Sequence, residues 1–239
     1  MKYSKLPRLY IKSKLISNSI VALDSENIHY IKKVLRIREG EKIRVFNEDD
    51  GEYFSALLEE GKNLFIRVEE KFEKNNFQSR EWSPEIVLMA SIVKTEKFEI
   101  ICDMATQLGV TAILPIVTER TQKKELNYVR LAKIIKESVR QSERIETPAL
   151  LAPKHLSEID FDIYDIIYLA NEMENSSCAP DLSKHNLYRS RAVIVGPEGG
   201  FTQDELQYLT SLKNLLSISL GPFILRSETA CAAILARCI

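Results

Sequence analysis

The chain is predicted to fold as a small β-barrel with one helix, followed by an α/β domain on a mainly parallel sheet. Short β-like segments separated by turns fill residues 6–74. From residue 85 onward, long apolar runs alternate with segments of helical spacing. The polar stretch EKNNFQSREWSP lies between the two patterns and is typical of a linker. The sequence therefore predicts domains at 1–73 and 85–239, joined by a linker at 74–84.

Three strands are predicted in the first domain, separated by two turns that contain glycine. EDDG and EEG are turn sequences, and Gly51 and Gly61 can adopt the positive φ that such turns need. The strands are expected at 42–47, 52–59 and 63–72.

A short helix is predicted before these strands, in the segment SENIHYIKKVLRIREG. Ser25 is suited to the N-cap position, and Gly40 is suited to the end of the helical segment. Four apolar residues share one helical face: Ile28, Ile31, Val34 and Leu35.

Strands and helices alternate through the second domain, which is the pattern of a parallel sheet covered by helices. Strands are predicted in EIVLMASIV and VTAILPIV and at 165–171, 192–196 and 215–221. Helices are predicted in KTEKFEIICDMATQLG, in LNYVRLAKIIKESVRQSER, after Thr202 and at about 228–238. Thr202 and Glu205 have capping-box spacing, so one helix is expected to begin near Gln203.

The composition excludes several classes of protein. With 28% charged and 45% hydrophobic residues, the chain is neither disordered nor fibrous. No run approaches the ~18 apolar residues of a membrane helix, and the N-terminus lacks a signal-peptide core. We therefore expect a soluble, cytoplasmic protein with no membrane partner. The four cysteines and three histidines show no paired spacing, so buried free thiols and no metal site are predicted.

The charge is unevenly distributed along the chain. Residues 1–45 contain eleven Lys and Arg residues and four acidic residues, which gives a net charge of +7. Because the whole chain has a net charge of −1, the remaining residues carry −8. This asymmetry indicates a face that binds a polyanion. A solvated, lysine-rich surface explains the charge alone equally well.

Four of the eight glycines lie in two loops that each follow a predicted strand. VGPEGGFTQDEL contains Gly196, Gly199 and Gly200, and LGPFILRSETA contains Gly221. In an open α/β sheet, ligands bind beyond the carboxyl ends of the strands, and glycine lets the backbone approach them closely. The two Gly-Pro loops are therefore predicted to form adjacent walls that grip a flat ring.

The spacing of these glycines does not itself identify the ligand. GxxGG differs from the GxGxxG of a dinucleotide-binding turn and lacks the GK[ST] of a phosphate-binding loop. A tight turn that needs positive φ is the structural alternative.

Both loop sequences resemble the C-terminal motifs of the RsmE family, the ribosomal RNA uridine-N3 methyltransferases of the SPOUT superfamily. LPRLYI and HYIKKVLRIREGEKIRVF are similar to the N-terminal PUA-like RNA-binding barrel of that family. ATQLGVTAILP, TERTQ and RQSERIETP are similar to its intermediate motifs, so the resemblance covers nearly the whole chain. The chain departs from the family pattern at Met104, Gln107 and Phe223, where charged residues are usual.

The resemblance implies a SPOUT α/β domain with a C-terminal trefoil knot that binds S-adenosylmethionine and works as a homodimer. It also implies methylation of N3 of one uridine in 16S ribosomal RNA, within the small ribosomal subunit. Carried over by motif, the cofactor-binding residues are Asn171, Glu172, Gly196, Pro197, Glu198, Gly199, Gly200, Leu220, Gly221, Pro222, Ile224 and Leu225.

The implied reaction requires loss of the uracil N3 proton, to a base or with help from a cation that stabilises the anion. Arg226 is the first candidate for the cation and Arg120 the second, while Glu228 is a candidate to position Arg226 or accept the proton. A salt-bridged surface arginine and an acid that complements the helix dipole are the simpler explanations of Arg226 and Glu228. RNA phosphates are expected to contact the basic N-terminal region at Arg8, Lys32, Lys33, Arg36 and Arg38.

Two other functions stay open at the level of the sequence. An RNA-binding protein with the same fold, but with a different RNA target or no catalysis, is supported by Met104, Gln107 and Phe223. A nicotinamide-dependent oxidoreductase suits the α/β pattern but lacks the glycine fingerprint.

Overall fold

The structure, a computed structural model, describes residues 6–61, 63–72, 84–122, 125–171 and 188–238. The chain divides into two units, and residues 139–146 belong to the first unit together with the N-terminal part of the chain. Almost all of the predicted linker lies outside the described residues, as does Cys178.

The first unit is built on a five-stranded sheet. Its strands are β1 (Arg8–Tyr10), β2 (Ile20–Ala22), β3 (Lys42–Asn47), β4 (Gly51–Glu60) and β5 (Asn63–Lys71). They are ordered β1-β3-β4-β5-β2, with β1 and β3 parallel and the other neighbours antiparallel. The three predicted strands are confirmed, and Gly51 and Gly61 have φ of 87° and 62°, as their turns require.

The helical segment before β3 differs from the prediction. Helix α1 (Ser25–Tyr30) is capped by Asp24, whose carboxylate accepts a 2.8 Å hydrogen bond from the Asn27 N–H, so Ser25 is not the N-cap. A π-helix (Ile31–Leu35) follows and ends at Arg36, which has φ of 54°, rather than at Gly40. The wider π-helical turn breaks the expected spacing, and Val34 is 59% exposed instead of packing on the sheet.

Arg8 is buried in the first unit and binds residues 139–146 to it. Its guanidinium donates two hydrogen bonds to the Glu52 carboxylate, at 2.8 and 3.2 Å. Its other three N–H groups donate at 2.9–3.1 Å to the carbonyl oxygens of Val139, Arg140 and Arg144. All of the N–H donors that an arginine side chain offers are therefore used. These bonds explain why residues 139–146, predicted as part of the second domain, belong to the first unit.

Arg44 extends this buried cluster. Its Nη2 donates a 2.7 Å hydrogen bond to Glu143, and its Nη1 lies 3.5 Å from the Glu52 carboxylate. The Arg8 guanidinium also lies over the Phe46 ring, 4.1 Å from its centroid. Removal of one partner from such a cluster leaves a buried charge without compensation, which is strongly destabilising.

The second unit is an α/β domain on a seven-stranded parallel sheet. The strands are β6 (Glu85–Ser91), β7 (Ala112–Val117), β8 (Ala149–Leu150), β9 (Lys154–His155), β10 (Ile166–Ala170), β11 (Ser190–Val195) and β12 (Leu215–Ile218). Their order is β12-β10-β11-β6-β7-β8, and β9 also pairs with β7. Every pairing is parallel, so the predicted mainly parallel sheet is confirmed. The trefoil knot stays a prediction.

Three helices of the second unit lie between strands along the chain, and the fourth follows the last strand. They are α2 (Thr95–Gln107), α3 (Tyr128–Gln141), α4 (Gln203–Thr210) and α5 (Ser227–Cys238). The predicted capping box before α4 is confirmed: Thr202 Oγ1 accepts from the Glu205 N–H at 3.3 Å, and the Glu205 carboxylate accepts from the Thr202 N–H at 2.9 Å. Within the described part of the chain, no helix is long and apolar enough to cross a membrane.

Apolar clusters cover both faces of the parallel sheet. Alternate residues of β6 point to opposite faces, so Ile86 and Leu88 join one cluster and Val87 and Met89 join the other. This double burial explains the near-continuous apolar run of β6 and leaves the carboxyl edge of the sheet for a site.

Candidate active site

Two neighbouring clefts lie at the carboxyl edge of the parallel sheet. The first cleft has a volume of about 320 Å³ and lies where β10, β11 and β12 end. The second cleft has a volume of about 410 Å³ and lies where β6, β7 and β11 end. Because β11 belongs to both groups of strands, the loop that follows it is a wall of both clefts.

The first cleft brings together most of the residues predicted to bind a cofactor. Those that line it are Asn171, Gly196, Pro197, Glu198, Gly199, Gly200, Leu220, Gly221, Ile224 and Leu225. Pro222 lies in the same loop without lining the cleft, and Glu172 lies outside the described residues. The two Gly-Pro loops therefore lie side by side at one site.

The positions of the first cleft that hold glycine require it for different structural reasons. A Cβ atom on Gly196 would lie 2.9 Å from the Phe201 ring, so packing excludes a side chain there. Gly200 and Gly221 have φ of 68° and 130°, which other residues rarely adopt. A hydrogen bond from the Gly200 N–H to the Pro197 carbonyl, 2.9 Å long, closes the turn after β11.

Several lining residues of the first cleft were not predicted from the sequence. Ser227 Oγ donates a 3.2 Å hydrogen bond to the Gly196 carbonyl and so connects the two loops. Phe201 and Leu206 form an apolar wall, and Phe223 lines the cleft although it is 80% exposed. Phe201 and Ser227 belong to the two quoted loop sequences, and this position is the signal that could have identified them.

Arg120 lies on the boundary between the two clefts and lines both. Its Nη1 donates a 2.7 Å hydrogen bond to the Gly199 carbonyl. Glu198 also lines both clefts, and its carboxylate accepts a 2.7 Å hydrogen bond from Lys97. A fixed cation thus lies at the point where the two clefts meet.

The other two predicted catalytic residues line neither cleft. Arg226 is exposed, although its neighbours Leu225 and Ser227 both line the first cleft. Glu228 Oε2 is buried and has no hydrogen-bond partner among the residues that the structure describes.

Four of the five predicted RNA-contacting residues are exposed on the first unit: Lys32, Lys33, Arg36 and Arg38. Lys32 forms an exposed ion pair with Glu59 at 3.5 Å. The structure corrects the prediction for Arg8, which is 6% exposed and donates all of its N–H groups inside the protein.

The described cysteines are buried free thiols, as predicted. Burial raises the pKa of Cys102 to about 12 and also raises the pKa of Cys231. Such thiols stay protonated at neutral pH and are unsuited to nucleophilic catalysis. The described residues also contain no group of three or more His, Cys, Asp or Glu side chains that could hold a metal ion.

Comparisons with known proteins agree with this geometry. Residues 80–239 match a family model described as an RNA methyltransferase domain, and residues 23–69 match one described as an RNA methyltransferase PUA domain. The chain is 38% identical over 240 residues to ribosomal RNA small subunit methyltransferase E of Rickettsia conorii, covering 99% of this chain and 95% of that protein.

Solved structures of other proteins are similar to this chain over nearly its whole length. Ribosomal RNA small subunit methyltransferase E from Neisseria gonorrhoeae, bound to S-adenosylmethionine, superposes with a TM-score of 0.79 at 25% identity, covering 97% of this chain and 95% of that one. A protein from Legionella pneumophila, in complex with the same cofactor, has a TM-score of 0.77 at 26% identity, covering 97% of this chain and 96% of that one.

Fold and site together define an RNA methyltransferase of the SPOUT class with a PUA-like N-terminal domain. Within that class, the chain belongs to the ribosomal RNA small subunit methyltransferase E family.

Proposed function

We propose that the chain transfers a methyl group from S-adenosylmethionine to N3 of one uridine in 16S ribosomal RNA. The observation that carries this proposal is the first cleft, where two adjacent Gly-Pro loops bring backbone groups to a partly apolar cavity. Relatives named for the ribosomal RNA of the small subunit, and a neighbour bound to S-adenosylmethionine, support the substrate and the cofactor.

The first cleft suits S-adenosylmethionine in size and chemistry. Its volume of about 320 Å³ lies in the range of roughly 300–1,000 Å³ that is usual for small-molecule sites. Phe201, Leu206 and Leu225 offer apolar contacts for an adenine ring, and the Gly-Pro loops offer backbone groups for its polar edge. Asn171 and Glu198 are polar residues of the lining and are proposed to contact the charged part of the cofactor.

S-adenosylmethionine, when bound, supplies an activated methyl group on a sulfonium centre. The uracil N3 would form the new bond to the methyl carbon as the carbon–sulfur bond breaks and a neutral thioether leaves, and the N3 proton would pass to a base or to solvent. Arg120 is our first candidate to stabilise the negative charge on the uracil, and its place in the lining of the first cleft supports this role. Arg226 is the second candidate for this role, and Glu228 is a candidate proton acceptor. Alignment of the reacting atoms supplies further rate acceleration.

The first unit is proposed to hold the RNA. Lys33, Arg36 and Arg38 are exposed and suited to RNA phosphates. The target uridine has to leave its stack, because N3 lies on the edge that pairs with other bases. Action as a homodimer, on the small ribosomal subunit and in the cytoplasm, belongs to the same proposal.

Calorimetry with S-adenosylmethionine and with NAD, followed by labelled-methyl transfer to 16S ribosomal RNA, tests this function. We expect binding of S-adenosylmethionine, no binding of NAD, and transfer of the label. Binding of S-adenosylmethionine without transfer to ribosomal RNA would favour an RNA-binding protein without catalysis.

A further inference from the structure

The second cleft has no role in the cofactor site proposed above. It is lined by residues 92–94, 119–122 and 197–199, in loops that follow β6, β7 and β11. Ligands of open α/β sheets bind beyond such carboxyl ends, so the second cleft occupies a favourable position for a ligand. Because it shares Arg120 and residues 197–199 with the first cleft, its ligand would lie next to the uracil that receives the methyl group beside Arg120.

Glu119 and Arg120 are presented to this cleft by a rigid turn. The Thr121 N–H donates to the Thr118 carbonyl at 3.1 Å, and the Thr118 N–H donates to Thr121 Oγ1 at 2.9 Å. The Glu119 N–H donates to the Glu205 carboxylate at 2.9 Å. Because the backbone of the turn is already fixed, ligand binding there requires no ordering of the loop.

The side chains of the second cleft offer donors and an acceptor beside an apolar wall. Ile92, Val93 and Pro197 are buried and supply the apolar wall. The Lys94 ammonium and the Glu119 carboxylate are exposed, and neither has a hydrogen-bond or ion-pair partner among the described side chains. Arg120 uses one of its N–H groups on Gly199 and retains others.

This combination fits the edge of a nucleobase better than it fits a bare phosphate. Base edges present N–H donors next to carbonyl or ring-nitrogen acceptors. A phosphate between Lys94 and Arg120 would also meet the Glu119 carboxylate, which repels it. Glu198 adds little to that repulsion, because Lys97 lies 2.7 Å from its carboxylate.

We propose that the second cleft binds a nucleobase next to the methylated uridine and reads its identity through Glu119 and Lys94. This inference rests on the proposed methyl transfer to RNA. Glu119 accepts a hydrogen bond from an N–H of the base, while Lys94 donates to a carbonyl or ring-nitrogen acceptor. Both residues determine which RNA sequence is used and take no part in the chemical step.

The test is a comparison of kcat/KM on RNA fragments in which each base beside the methylated uridine is replaced in turn. The parent enzyme is expected to discriminate among bases at one flanking position. Glu119→Gln and Lys94→Met are each expected to reduce that discrimination about tenfold or more, with unchanged affinity for S-adenosylmethionine by calorimetry. Glu96→Gln and Lys213→Met are matched controls, because Glu96 and Lys213 are exposed and line neither cleft.

Unchanged discrimination in both variants, with methyl transfer intact, would overturn the base-reading role and leave the proposed function standing. Absence of transfer by the parent enzyme to any 16S ribosomal RNA would instead overturn the proposed function, and this inference with it. Photocrosslinking tests the same inference without a catalytic assay, with RNA that carries 4-thiouridine at the flanking position. Photocrosslinks at residues 92–94 or 119–122 are expected, and crosslinks confined to the first unit would contradict the inference.

Discussion

Arg120 Nη1 donates a hydrogen bond of 2.7 Å to the carbonyl oxygen of Gly199. The bond joins the loop after β7 to the loop after β11, and it holds the guanidinium where the two clefts meet. We therefore propose Arg120 as the cation that contacts both the cofactor and the base that receives the methyl group.

Replacing Arg120 is expected to slow methyl transfer. Arg120→Ala removes a donor aimed at the charge that develops on the uracil, and such losses reduce kcat by roughly 10²-fold. Steady-state kinetics on 16S ribosomal RNA measures the effect. Arg130→Ala is the matched control, because Arg130 is an exposed arginine paired with Glu99 and lines neither cleft. Equal kcat values for Arg120→Ala and the parent would exclude this role.

Gly196 is expected to tolerate no side chain. A Cβ atom at this position would lie 2.9 Å from the buried Phe201 ring, so Gly196→Ala should cost about 1–3 kcal/mol of unfolding free energy. It should also weaken S-adenosylmethionine binding, because Phe201 and the loop would move. Denaturant unfolding and calorimetry measure both effects.

Gly199→Ala is the control for this substitution. Its Cβ atom would lie 3.5 Å from Arg120 Cδ, an ordinary contact, so the unfolding free energy should change by less than about 0.5 kcal/mol. Equal destabilisation by the two substitutions would contradict the packing explanation.

The exposed basic residues of the first unit are expected to govern RNA binding and its salt dependence. A variant with Lys33→Gln, Arg36→Gln and Arg38→Gln should bind RNA more weakly, and each lost phosphate contact should reduce the salt slope by about one. Affinity for S-adenosylmethionine should not change. Binding titrations at several salt concentrations test this, and equal slopes in variant and parent would refute it.

Arg8 is expected to stabilise the folded protein and not to contact RNA phosphates. Arg8→Ala leaves Glu52 buried without its main partner and frees three backbone carbonyls, which should cost about 3–5 kcal/mol of unfolding free energy. Arg38→Ala, which removes an exposed charge, should cost less than about 0.5 kcal/mol. Denaturant unfolding of the two variants decides the matter: a small effect of Arg8→Ala would contradict the buried network.

The Cys102 thiol is expected to resist alkylation in the folded protein. Burial, aided by the charges of Glu99 and Asp103, raises its pKa from 9.0 to about 12, and only the thiolate reacts. Because the folded pKa is raised, the contribution of this thiol to stability is present below about pH 9 and lost as the pH rises toward 12. Mass spectrometry after iodoacetamide treatment at pH 8, with and without urea, tests this. Rapid modification of Cys102 without urea would show that it is not buried.

Much of the second unit follows from local sequence patterns. A strand covered on both faces needs apolar residues at every position, which is why EIVLMASIV could be assigned to a buried strand. The Thr202–Glu205 capping box is equally local, because both hydrogen bonds lie within one helical turn. The Gly-Pro loops could be assigned to a common site because parallel strands end at the same edge of a sheet.

Two features of the first unit could not be predicted from local sequence. Arg8 looks like any other basic residue of its segment, and its burial depends on Glu52 and on carbonyl groups more than 130 residues away. The π-helix at Ile31–Leu35 follows an ordinary apolar pattern and displaces Val34 without a local signal. Lys94, however, follows a predicted strand as the Gly-Pro loops do, so the same positional rule could have suggested the second cleft.

The central claim is methyl transfer from S-adenosylmethionine to uracil N3 in 16S ribosomal RNA. Its most direct test is incubation of the purified protein with labelled S-adenosylmethionine and small ribosomal subunits, followed by nuclease digestion and identification of the labelled nucleoside. We predict that the label is recovered as N3-methyluridine, at a single position of the RNA. Label recovered on a base carbon or on ribose, or no label at all from a protein that binds the cofactor, would contradict the claim.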